Sequence, residues 1–190
     1  VDTIRYFLLR EVPFGMDGDF SHKALIGRIN SDLANNLGNL LNRTISMMKR
    51  YHDNVVPEPT DPTEDADLKE EFRSGIDDVH KLYSELAYNK ILERIWVLVD
   101  TTNKYIDKNG PWNLVKSDEG KQRLATVMYN AAECLRVISL LVYPFMPGSA
   151  AKMMQQLGIE TSIEEQGLES LKTWGGLKPG TTVQTGPHLF

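Results

Sequence analysis

Between residues 17 and 51 apolar side chains recur as Ile26, Ile29, Leu33, Leu37, Leu40, Leu41, Thr44 and Met48. That three-and-four spacing predicts one long amphipathic helix. At about 100° per residue, Asn35, Asn39 and Arg43 fall on the side opposite the stripe, one turn apart. Two amides and a guanidinium are thus expected to point outward together. An amide is both donor and acceptor and a guanidinium is a planar fork, the two chemistries that read the edges of nucleobases. A merely solvated face is polar too, but Glu and Lys are better helix formers than the amides found here.

The rest of the chain supplies helices to cover that stripe. Residues 2–11 read as a helix with Ile4, Phe7 and Leu8 on its apolar side, ended by Pro13 and Gly15. An acidic turn, Asp17-Gly18-Asp19, precedes Ser21, whose hydroxyl suits the cap of the long helix. Gly38 is expected where a neighbouring backbone approaches closely. Residues 55–62 hold Pro57, Pro59 and Pro62 and read as a connector. A second helix is expected from Asp61 or Thr63, with Leu68, Phe72, Ile76, Val79, Leu82 and Leu86 as its core side. A break follows near Tyr88, with Asn89 as cap for a restart on Ile91, Ile95, Leu98, Val99 and Thr102. Trp96 reads as core or flank.

Gly110 suits a left-handed stop and Pro111 forbids continuation, which presents Trp112 at a helix–helix corner. Ser117, Asp118 and Glu119 form a capped, dipole-matched start for a core helix on Leu124, Val127, Met128, Ala131, Leu135, Ile138 and Leu141. Pro144 and Pro147 bend the chain into a shorter helix that stops at Gly158. After Thr161 a brief helical turn leads to Trp174-Gly175-Gly176 and a short extended piece near residues 181–184. The expected architecture is an all-α helical bundle of about five principal helices with an irregular tail. In residue ranges this is a helix and turn at 1–20, the bundle at 21–158 and a tail at 159–190 that packs back on it.

The 190 residues carry a formal net charge of −5, which argues against a wide grip on phosphate. Distribution matters more than the sum. The first long helix holds Lys23, Arg28, Arg43, Lys49 and Arg50 against Asp32. Residues 58–78 hold Glu64, Asp65, Asp67, Glu70, Glu71, Asp77 and Asp78. Any RNA would therefore be held at a local patch, away from the acidic stretch, with Lys49 and Arg50 as phosphate contacts. The single Cys134 sits among Ala131, Leu135 and Ile138 and reads as a core residue of a protein in a reducing compartment. His22, His52, His80 and His188 lack companions at ligand spacing and read as surface residues, with no metal site. Neither a phosphate loop nor a nucleophile elbow is found. No secretory signal or membrane-spanning apolar run is evident, and a start at Val1 suggests a piece of a longer protein.

The strings VDTIRYFLLREVPFG (1–15), DGDFS (17–21) and DLANNLGNLLNR (32–43) are followed by NKYID (103–107), GPW (110–112) and YPFMP (143–147). In combination they resemble the helical anticodon-binding region of bacterial methionyl-tRNA synthetases, of the class Ia type, over most of the chain. The resemblance implies that Asn39, Arg43 and Trp112 occupy positions that read the CAU anticodon of tRNA(Met), with Asn35 and Pro111 beside them. Unpaired loop bases are read by stacking and by hydrogen bonds to exposed edges, so the chemistry agrees. Residues around Arg5 resemble the family's stem-contact region. The family's amino-acid-activating signatures are not found, and one of them lies shortly before the position of Val1. A non-catalytic module without a cofactor is therefore expected, with ATP and Mg belonging to the catalytic domain of the same parent chain, in the cytoplasm and off the membrane. The alternatives are the matching domain of a leucine, isoleucine, valine or cysteine synthetase, and a helical protein-interaction scaffold that binds no RNA. The Asn39, Arg43 and Trp112 set favours methionine.

Overall fold

The computed structural model describes every residue except Asp19, Pro62, Glu64 and Lys172, and omits the side chains of Leu168 and Glu169. Asp19 of the expected acidic turn, Pro62 of the connector and Glu64 of the acidic stretch thus lie outside the described residues. Helices α1 (Asp2–Glu11), α2 (His22–Arg28), α3 (Asn39–His52), α4 (Ala66–Ser84), α5 (Tyr88–Asn109), α6 (Pro111–Leu114), α7 (Asp118–Val142), α8 (Pro147–Gln156) and α9 (Ile163–Gln166) follow in order. The all-α expectation holds.

The organising stretch is helical without interruption, yet it is not one α-helix. Between α2 and α3 the residues Ile29–Gly38 wind as a π-helix, in a run rich in Asn, Ser and Gly with little preference for the tighter coil. The wider turn shifts the phase of the apolar stripe. Leu33, Leu37, Leu40, Leu41, Thr44 and Met48 are buried, whereas Ile26 is 57% exposed and Ile29 only half-buried. Gly38 is tight for a different reason from the one expected. A Cβ there would meet the Leu33 carbonyl oxygen of its own helix at 3.0 Å and the Phe190 ring at 3.5 Å, not a neighbouring helix backbone.

Helix α7 is the centre of the bundle. From Thr126 to Val142 it is buried all round, Cys134 included. It is long and apolar enough to cross a membrane by length and composition, contrary to the sequence reading, but its apolar window is almost wholly buried among the other helices. That is how a core helix looks. Ser117 caps its start, accepting from the Gly120 amide at 3.0 Å. At its far end Arg5 of α1 donates to the carbonyl oxygens of Phe145 (2.9 Å) and Pro144 (2.8 Å). Asp2 accepts from the Ser149 amide at 2.6 Å, satisfying a free N–H at the start of α8.

Four other expectations change. Helix α1 buries Tyr6 and Phe7, while Ile4 and Leu8 face outward. The aromatics win because Tyr6 packs on Trp96 (centroids 4.6 Å apart), gives its hydroxyl to Asp32 at 2.7 Å, and Phe7 meets Phe20 edge-on. Helix α4 starts at Ala66, after Asp65 in the left-handed region (φ 64°). The turn into α5 is made by Leu86 (φ 53°), which is exposed and not core, and Asn89 lies inside α5 and caps nothing.

The tail returns to the bundle. Val55 and Thr182 form an antiparallel bridge, framed by Val56 N–H to Thr181 O (2.9 Å) and Val183 N–H to Asn54 O (2.7 Å). Leu177, Val183 and Leu189 are buried. Deeper in, the fully buried Glu133 carboxylate accepts from Arg136 Nε (2.8 Å) and Nη2 (2.7 Å) and from the amides of Gly175 (2.9 Å), Gly176 (3.0 Å) and Leu177 (2.9 Å). The Gly175-Gly176 pair thus wraps a carboxylate of the protein itself.

Candidate nucleic-acid interface

Ser31, Asn35, Asn39 and Arg43 lie four residues apart along the π-helix and α3. They line one side of a shallow groove whose other side is Asp100, Asn103, Lys104 and Asp107 of α5. Residues four apart stay nearly aligned in the wide π turn, so the amide face survives the departure from α geometry. Asn35 and Asn39 are exposed, and their amides have no hydrogen-bond partner among the described residues. Asn36 behaves differently. Its amide donates to Asp100 Oδ1 at 2.8 Å and accepts from Asn103 Nδ2 at 2.8 Å, tying the two helices together beneath the groove.

Arg43 does not project freely, as its position on the helix had suggested. Nη1 donates to Asp107 Oδ1 at 2.9 Å and Nη2 to the Asn103 carbonyl oxygen at 3.0 Å, and Nε is buried without a partner. The guanidinium lies along the groove wall with one N–H left on each Nη. Arg28 is likewise engaged, with Glu11 and Asp32, so the basic character of the first helix is smaller than its composition indicates.

Gly110 takes the left-handed conformation (φ 54°, ψ 63°) that ends α5, and Pro111 opens α6 directly after it. Pro111 is buried, while Trp112 is 47% exposed. Trp112 is five residues beyond Asp107, which places its corner at the Arg43 end of the groove. Lys49 and Arg50 are exposed on the last turn of α3. Arg50 is two turns beyond Arg43 and on the same side, whereas Lys49 is rotated about a third of a turn away. The guanidinium carbon of Arg50 sits 5.6 Å from the Tyr51 ring centre.

The sequence alone does not mark Asp100, Asn103, Lys104 and Asp107 as site residues, although they line the groove. They are polar residues at three-and-four spacing along α5, which also carries Lys90, Arg94 and Lys108 on another side, so their spacing alone does not mark a site. Among the described residues no group of His, Cys, Asp and Glu is arranged to hold a metal. His52 departs from the surface reading: it is half-buried, and its Nε2 is enclosed without a partner.

Residues 56–190 match the family model for the anticodon binding domain of methionyl tRNA ligase. The chain belongs to that family. Residues 1–45 of this anticodon-binding chain also match the model for class I tRNA synthetases (M). It is 51% identical over its whole length to the methionine–tRNA ligase of Caldanaerobacter subterraneus subsp. tengcongensis, covering 30% of that protein. It is 45% identical, again over its whole length, to the ligase of Fusobacterium nucleatum, also covering 30%. The fold superimposes on Mycobacterium tuberculosis methionyl-tRNA synthetase in complex with methionyl-adenylate with a TM-score of 0.90 and 38% identity, over all of this chain and 37% of that one. The anticodon-binding chain thus spans about a third of the length of its relatives.

Proposed function

We propose that this chain recognises the CAU anticodon loop of tRNA(Met). In this reading Asn35, Asn39 and Arg43 meet base edges, Trp112 stacks on a base with Pro111 seated behind it, and Lys49 and Arg50 meet phosphates. The observation that carries the proposal is the pair of exposed, unengaged amides of Asn35 and Asn39, in one groove with Arg43 and near a half-exposed tryptophan. Amide edges and an aromatic face are what unpaired loop bases need.

The chain is proposed to be the non-catalytic part of an ATP-dependent methionine–tRNA ligase of the cytoplasm. ATP and Mg would be held by the catalytic portion of the parent chain. Exposed apolar side chains near the N-terminus support contact with that portion: Ile4, Leu8, Phe14, Met16 and Phe20 are all exposed, and such groups can mark an interaction site. Residues 21–158 then form the reading bundle, 1–20 the contact to the tRNA stem and catalytic portion, and 159–190 a tail that braces the bundle. The test is a titration of the protein against an RNA hairpin with a CAU loop and a matched hairpin with another loop. Preference for CAU supports the reading, and equal affinity for both loops, or none for either, rejects it.

A further inference from the structure

The groove accounts for what touches RNA, but not for what holds the Trp112 corner at its bearing. Trp112 is half-exposed, so packing of its own ring fixes it only in part. The corner is also fastened from behind by a polar chain. Arg123 of α7 donates from Nε (3.1 Å) and Nη2 (2.6 Å) to Asn109 Oδ1. Asn109 is the last residue of α5 and returns its Nδ2 to the Tyr105 carbonyl oxygen at 2.9 Å. The same guanidinium grips Asp65 with Nη1 (2.8 Å) and Nη2 (2.7 Å). Asp65 also accepts from the Tyr105 hydroxyl (2.7 Å) and from Asn130 Nδ2 (2.9 Å).

The geometry points to Asp65 and Arg123 as positioning residues for anticodon reading, which act on Trp112 through Asn109. The inference rests on the function proposed above. Only Gly110 and Pro111 separate Asn109 from Trp112, and both are conformationally committed: one in the left-handed region, the other with its φ fixed by the ring. A fixed Asn109 therefore fixes the backbone from which the indole projects. Asp107, two residues before Asn109, is held on the groove side by Arg43, so the end of α5 is gripped from both α3 and α7. Apolar side chains of similar volume would stabilise such a junction at least as well as a mostly buried ion pair; what charged, directional hydrogen bonds add is geometry. Asp65 itself stands in a left-handed conformation (φ 64°), a cost that Asp tolerates better than most residues. Burial pushes its carboxyl up, but the bonds from Arg123, Tyr105 and Asn130 outweigh this and hold it below its ordinary range.

The experiment uses protein labelled with 5-fluorotryptophan, in which the Trp112 resonance is assigned by its loss in Trp112→Phe. Asp65→Asn and Arg123→Lys weaken the chain at its root. Asn109→Ala cuts only its last link, leaves the Asp65–Arg123 pair intact, and keeps the test usable if the first two fold poorly. The expected result is a shifted or broadened Trp112 resonance in the free protein, unmoved Trp96 and Trp174 resonances, and a fall in CAU-hairpin affinity of about three- to tenfold, a partial loss of one stacking contact. In a Trp112→Ala background the same changes should have little further effect on affinity. An unmoved Trp112 resonance in all three variants, or an undiminished effect on affinity without Trp112, overturns the inference. The resonance is read without RNA, so failure of the wild-type protein to prefer CAU would count against the proposed function separately.

Discussion

Arg43 of α3 reaches Asp107 of α5 with an Nη1–Oδ1 distance of 2.9 Å, at the rim of the groove where the Asp107 side chain is still 60% exposed. Arg43 is the more enclosed partner, with its side chain 26% exposed, but a pair with one side open to water contributes only about 1 kcal/mol to stability. In the proposed function, a loop base would take over donors that Arg43 now gives to Asp107 and Asn103.

Arg43→Ala and Asn39→Ala should lower the melting temperature little, cost about 1–3 kcal/mol of CAU-loop binding, and relax discrimination at one loop position each. Arg50→Ala should weaken all loops alike and flatten the salt dependence, as loss of a phosphate contact does. Lys49→Ala should do so less, because its position is turned off the groove side. The measurement is binding of each variant to CAU and single-base-variant hairpins at two salt concentrations. Equal weakening of every loop by Arg43→Ala, with discrimination intact, would leave Arg43 only an electrostatic contact.

Trp112→Ala should cost about 1–3 kcal/mol of CAU-loop binding, the worth of one base stacked on an aromatic ring. Helix content should hardly change, since the ring is half-exposed. Circular dichroism and the hairpin titration together decide the matter: a large drop in melting temperature with unaltered relative affinity would make the ring a core plug.

The sequence made the helices legible where their periodicity was undisturbed, as in α5 and α7, and where punctuation was explicit, as at Gly110-Pro111 and Ser117. It misled where the coil changed its pitch. The 100° rule does not hold across Ile29–Gly38, so a stripe drawn by it takes in Ile26, which the fold leaves exposed. It also missed contacts that depend on a distant partner. Nothing local to Arg43 announces Asp107, nothing local to Gly175 announces Glu133, and the left-handed turns at Asp65 and Leu86 carry no glycine to mark them. The exposed amides were visible because they are alone on their helix face. The α5 side of the groove was not, because its polar residues take their meaning from Asn36 and Arg43 across the gap.

His52 gives a pH dependence. Burial, partly offset by the Asp53 carboxylate, pushes its pKa below the ordinary 6.5, and Nε2 is enclosed without a partner. The unfolded chain therefore takes up a proton that the folded protein resists. Stability from this group is full above about 6.5 and declines as pH falls below it, by at most about 1.4 kcal/mol per pH unit. Urea midpoints measured between pH 7.5 and 5, values of the order used to bracket that transition, should fall more steeply in the wild type than in His52→Gln. Parallel profiles for the two proteins would show that the ring titrates in the fold as it does in the unfolded chain.

Glu133 of α7 fastens the tail at residues 175–177. Its carboxylate holds Arg136 and three consecutive tail amides, and both charged side chains are essentially inaccessible to water. Removing one partner of such a pair leaves an uncompensated buried charge, which costs about 3–5 kcal/mol. Glu133→Gln should therefore destabilise the protein by an amount in that range and free the segment around Gly175 from α7, while the groove at Asn35 and Asn39, on other helices, keeps its shape. The close approach at Gly176 gives an independent handle: a Cβ there would fall 2.4 Å from Arg136 Cζ, so Gly176→Ala should loosen the same contact without altering any charge. Denaturant unfolding measures the first effect, and limited proteolysis read by mass measures the second, with new cleavage expected near residues 172–178 in both variants. If Glu133→Gln unfolds at the wild-type denaturant concentration and its tail resists the protease as before, the carboxylate does not anchor the tail, and the apolar contacts of Leu177, Val183 and Leu189 hold it by themselves.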